Sequence, residues 1–274
     1  MKFKYIVLVF IAFGFLSCSR LDVAYDLAPR LVTNNLDDNF DFTSERYDQV
    51  KQIIANDFKN NKGLLKAEVI ARVDELLAVA DEKKLSEAQV EQFFQNIRKM
   101  QLKVVQSFAP SFNEVVTKMT KEELENLKKE TTERHKKAAE RLEDKVKFKE
   151  KSFSGFERNM ETLFDEVTDE QKKIYSDFID RNYDYFRLQL EHRKSYLKRF
   201  EEVFEDKAKL TDLVMKYYSA DDSIKTEEQL KMQQAFTKDM FTTTTKLWLT
   251  LTAEQKVEYK KSLTEIKSDI EKLK

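Results

Sequence analysis

Cysteine and tryptophan each occur once in 274 residues, proline and histidine twice each, and glycine three times. Each scarcity excludes something. A lone cysteine cannot close an internal disulfide or build a cysteine-ligated metal site. Gly14, Gly63 and Gly155 stand too far apart to form a phosphate-cradling loop. The histidines, His135 and His192, fall on different predicted helices. Thr132 and Gln189 stand three residues before them, where the Glu-x-x-His pair of di-iron bundles requires glutamate. His135 also sits within ERHKK, whose cations oppose metal binding. No serine lies in a nucleophile elbow. A catalytic constellation is therefore missing, and the sequence predicts neither an enzyme nor a cofactor nor a small-molecule substrate. Basic and acidic residues nearly balance, 49 against 50, so no basic surplus invites nucleic acid.

Few chain breakers, with 36% charged residues and abundant Lys, Glu, Leu and Gln, predict an all-α protein. The apolar residues include 21 Phe and 10 Tyr, enough to fill real cores between helices. The expected architecture is a multi-helix bundle of long antiparallel hairpins.

The one cysteine stands in FLSCSR, directly after the apolar run Tyr5–Phe15, which Lys2 and Lys4 precede. That run is too short to span a membrane, which takes about 20 residues, and its basic front edge fits a secretory signal peptide over 1–17. Its close, Leu16-Ser17-Cys18, resembles the lipobox of bacterial lipoproteins, with Phe15 where leucine is usual. The resemblance implies cleavage between Ser17 and Cys18, diacylglycerol on the Cys18 sulfur and acylation of the new amino terminus. Several acyl chains anchor stably where one is marginal. Ser19 differs from the aspartate that enterobacterial sorting reads as a retention signal. The expected address is therefore the outer membrane, facing the periplasm, with residues 18–274 as a helical periplasmic domain.

One phrase recurs: LSEAQ, MTKEE, VTDEQ, KTEEQ and LTAEQ. Each places Ser or Thr three residues before Gln or Glu, the capping box that satisfies two orphan donors at a helix start. The predicted N-caps are Ser86, Thr120, Thr168, Thr226 and Thr252, with Thr43 a partial sixth because Arg46 stands where Gln or Glu would. Phe42 with Tyr47, Leu85 with Val90 and Met119 with Leu124 occupy hydrophobic-staple positions. These boxes predict helices near 22–34, 44–60, 64–80, 87–107, 121–151, 169–205, 207–218, 227–249 and 253–272. A turn is expected at Asn60-Asn61-Lys62-Gly63, a break at Pro110, and a sub-boundary near 152–156. The uneven spacing of the boxes excludes a fixed-period solenoid.

Three segments carry open alternatives. The stretch 121–151 is mostly charge, with Thr131, His135 and Ala138 where an apolar seam would run, and reads as a solvated strut or a partner-binding arm. The segment 238–251 holds Trp248 and four consecutive threonines. Phe236, Met240, Leu247 and Leu251 keep helical spacing, so it is either a buried helix or an aromatic face for clients. Asp37, Asn39 and Asp41 share the spacing of a calcium loop, yet Phe42 replaces its glycine and Asp48 its bidentate glutamate, so helix capping ahead of Thr43 explains them better.

The segment after Cys18 resembles the opening of an uncharacterised family of proteobacterial helical lipoproteins. Arg20, Tyr25, Leu36, Asp37, Asp38, Phe40, Asp41 and Thr43 stand at matching positions, and EHRKSYLKRF and LTAEQKVEY fit its later helical pattern. That resemblance implies a fold and an address, not an activity. LTAEQ, with LSEAQ and VTDEQ, also resembles the Leu-Thr-x-x-Gln repeats of periplasmic chaperone-like proteins, in which helical hairpins form a cradle for unfolded clients. Plain capping produces the same Thr-x-x-Gln pattern. The functional expectation is a scaffold or accessory lipoprotein held at the membrane by Cys18 and binding an envelope protein. A chaperone-like holdase is the alternative.

Overall fold

The computed structural model describes residues 18–273. Among them are ten α-helices, one short 3-10 turn and no strand. The helices are α1 (Cys18–Phe40), α2 (Ser44–Val79), α3 (Glu87–Thr117), α4 (Lys121–Glu143) and α5 (Lys145–Phe164). They continue as α6 (Asp169–Arg181), α7 (Tyr183–Val203), α8 (Lys207–Tyr218), α9 (Glu227–Leu249) and α10 (Ala253–Lys272), with the 3-10 turn Asp222–Ile224 before α9. The all-α multi-helix bundle read from composition is what the chain forms.

Capping chemistry sets the helix starts. The hydroxyls of Thr43, Ser86, Thr120, Thr168, Thr226 and Thr252 each accept from the backbone N–H three residues on. At all but Thr43 the side chain at that third position reaches back, completing the box. Asp144 and Asp206 cap α5 and α8 in the same way. With glycine so rare, three non-glycine residues adopt left-handed backbone at helix ends: Asp41, Asp165 and Ala220. After α8, Ala220 N–H donates to Tyr217 O at 3.2 Å and Asp221 N–H to Lys216 O at 2.9 Å, closing the helix as a Schellman motif.

Several sequence expectations are corrected. No turn forms at 60–63, where α2 runs on for 36 residues. Gly63 does not take the left-handed backbone that a turn would use. Asn61 donates to Asp57 O and Ser107 O instead, so its side chain ties α2 to α3. Pro110 does not end α3; it lies inside that helix with its ring in solvent, and buried Phe108, Val115 and Val116 hold both flanks. Pro29 likewise lies inside α1. The expected helix 121–151 divides at Asp144 and the expected helix 169–205 at Asn182. Residues 152–156 lie within α5, where Phe156 is buried.

Three cores organise the packing. Val32, Val50, Ile54 and Val115 join α1, α2 and α3. Val116, Met119, Leu124, Phe200, Phe204, Leu210 and Val214 join α3, α4, α7 and α8. Val73, Ala80, Leu85, Val90, Trp248, Tyr259 and Leu263 join α2, α3, α9 and α10. Unbroken α2 links the first core to the third. The strut reading of 121–151 is also overturned, because α4 packs against α1 and α7. Thr131, His135 and Ala138 are half-buried, so the small and polar row of α4 is not fully in solvent.

Candidate interaction surface

The recurring Thr-x-x-Gln phrase has a tertiary role that spacing did not reveal. The α5–α6 and α9–α10 turns face one another, and Gln171 and Gln255 meet between them with no exposed surface. Gln171 Nε2 donates to Gln255 Oε1 at 2.8 Å, and Gln255 Nε2 returns a bond to Gln171 Oε1 at 3.1 Å. The second amide hydrogens go across the junction, to Thr250 O at 3.3 Å and Glu166 O at 3.1 Å. Each Oε1 also accepts from its own N-cap N–H, Thr168 or Thr252. The arrangement is two-fold, and both amide groups are fully used. It is a lock between two hairpins, with no polar group left over for a ligand.

A related pairing explains Arg46, the departure in the first box. Arg46 Nε lies 3.3 Å from Glu123 Oε1, and its Nη2 donates to Val115 O at 2.8 Å. Glu123 is itself the third residue of the Thr120 box. Side chains at this position therefore join helix starts in pairs, α2 with α4 and α6 with α10.

The remaining candidates resolve into structure. Trp248 is not an aromatic face for clients: it is buried, donates Nε1–H to Glu82 O at 3.0 Å, and meets Tyr259 edge-on. Asp37 Oδ1 accepts from Phe42 N–H at 3.0 Å, Asn39 donates to Asn35 O, and Asp41 takes left-handed backbone. Those three residues close α1. His135 is held below its usual value by burial, then by Arg193, Lys194 and Arg134. Among the described residues, no group of three or more His, Cys, Asp or Glu is placed to hold a metal ion.

Among residues 25–273, exposed apolar surface is sparse: the exposed large apolar side chains there are Leu27, Leu31, Val146, Leu249 and Val257, none of them aromatic. Leu27 and Leu31, 44% and 51% exposed, lie one turn apart on α1. They sit outside the buried face of Ala28, Val32 and Thr33. The sequence carries this signal in YDLAPRLVTNN, where Leu27-Ala28 and Leu31-Val32 are two adjacent apolar pairs. One contact face uses only one of each pair. Cys18 opens α1, Ser17 lies outside the described residues, and no described helix is long and apolar enough to cross a membrane. No protein-family model, curated protein or solved structure matches the chain.

Proposed function

We propose that this chain is a lipid-anchored, non-catalytic envelope protein, a scaffold or accessory factor that binds a protein partner at the membrane surface. The carrying observation is the lone cysteine at the close of the apolar run Tyr5–Phe15. Cleavage between Ser17 and Cys18 and lipid on the Cys18 sulfur would leave α1 as the first element beyond the anchor. In a host that follows enterobacterial sorting, Ser19 sends it to the outer membrane, facing the periplasm. Tethering then acts by effective concentration, confining the bundle to the surface where its partner resides. The holdase alternative calls for aromatic client-binding surface. Burial of Trp248 and the sparse, wholly aliphatic exposed set favour the accessory reading.

Two measurements test it. Cys18→Ser should move the protein from the membrane to the soluble fraction and remove the lipid mass from its amino-terminal peptide. In-cell crosslinking of the lipidated protein should capture one dominant partner at fixed stoichiometry. Capture of many unrelated envelope proteins, rising under unfolding stress, would select the holdase instead.

A further inference from the structure

We infer that the outward face of α1, carried by Leu27 and Leu31, lies on the lipid surface to which Cys18 is anchored. The inference rests on the anchored reading above and adds an orientation to it. α1 is continuous from Cys18 to Phe40, so the site of attachment and the exposed leucines belong to one helix. At 1.5 Å per residue, Leu27 and Leu31 stand roughly 14 and 20 Å along the axis from Cys18. An α1 lying along the bilayer would bring both leucines to the depth at which interfacial helices insert their apolar face.

The rest of the helix leaves this face available. Ala28, Val32 and Thr33 are buried, and α1 makes its main contacts with α2, α4 and α10. Arg30 and Asn34 are exposed beside the leucines and supply a headgroup-compatible border. By contrast Leu249 and Val257 lie near the α9–α10 turn, far in sequence from the anchor. They serve as the internal control for exposed apolar positions that lipid should not reach.

The test uses full-length lipidated protein in vesicles of phosphatidylethanolamine with a minority of phosphatidylglycerol. A polarity-sensitive fluorophore is placed by cysteine substitution at Leu27, Leu31 or Val257, and mass spectrometry of the amino-terminal peptide reads the anchor independently. Blue-shifted emission at Leu27 and Leu31, quenched by spin-labelled lipid, with none at Val257, is the expected result. Lipidated protein with water-like emission at both leucines would overturn the inference while leaving the anchor intact. A shift at all three positions would also overturn it, since contact would not be specific to α1. So would a shift that grows with protein concentration without vesicles, which would assign the face to a second copy. Absence of the lipid mass would overturn the anchored reading, and the orientation with it.

Discussion

At the residue scale, buried polar groups are the most consequential feature of this bundle. Gln171 and Gln255 lie where a core would normally be apolar, and reciprocal bonding makes that possible. Replacing one leaves the other with one unpaired amide hydrogen in a dry site and orphans the N-cap N–H that the lost side chain had accepted from, which together cost about 2–3 kcal/mol. Gln171→Ala and Gln255→Ala should each lower the denaturation midpoint, and the double variant should cost clearly less than their sum. Additive losses in that cycle would mean that the two turns do not depend on each other. Asp57 is the opposite case. Its Oδ1 accepts from Ser111 at 2.7 Å, while Oδ2 is buried without a partner, and burial raises its pKa. A carboxyl raised on folding costs stability at neutral pH, and the cost fades as pH falls to the unfolded value near 4. Asp57→Asn should therefore stabilise the protein by ~1 kcal/mol at neutral pH. That advantage should vanish at about pH 4, as followed by urea denaturation.

At the element scale, the chain keeps a glycine where a helix needs none and lacks one where a helix end would use it. Gly63 sits inside α2 with open space where a Cβ would stand, so alanine adds helix propensity without a clash. Ala220 terminates α8 at φ 56°, a backbone that strains any side chain. Gly63→Ala and Ala220→Gly should each stabilise by about 0.5–1 kcal/mol, and by additive amounts because the sites lie in separate elements. Thermal midpoints of the two single variants and the double variant check this. Gly63 and Pro110 show where local preference gives way to packing. Six helix starts are legible because a cap hydroxyl, joined at five of them by an N3 side chain, acts locally, within one turn. The expected turn at 60–63 and the expected stop at Pro110 rested on propensities of about 1 and 3 kcal/mol. Burial on both sides of each residue outweighs them: Ile54 and Val73 along α2, Phe108 and Val115 along α3.

At the scale of the whole molecule, α4 shows how charge-rich sequence becomes interior. It packs against α1 and α7, buries Leu124 in the core shared with α3, α7 and α8, and carries half-buried His135, on which the charges of Arg193 and Lys194 in α7 act. A histidine held below its ordinary value binds its proton more readily once unfolded. The stability it contributes is full above about pH 6.5 and lost as pH falls through its lowered folded value. Acidification should therefore loosen the α4–α7 contact. His135→Gln should flatten the part of the acid-side loss of stability that falls just below the ordinary imidazole range, measured by thermal denaturation across a pH series. An unchanged profile in that variant would remove His135 from the acid response.

The sequence by itself determined the helical class, the capping residues that begin six of the helices, and the scarcity of groups for metal or nucleophilic chemistry. These follow from composition and from interactions spanning three or four residues. Only the tertiary structure decided that α2 and α3 run through their apparent breakers, that Gln171 meets Gln255 and Arg46 meets Glu123, and that Trp248 turns inward. It also left Leu27 and Leu31 on the outside of the helix that begins at Cys18. Those outcomes depend on contacts between residues tens to hundreds apart in the chain, where burial and the satisfaction of polar groups outweigh local preference.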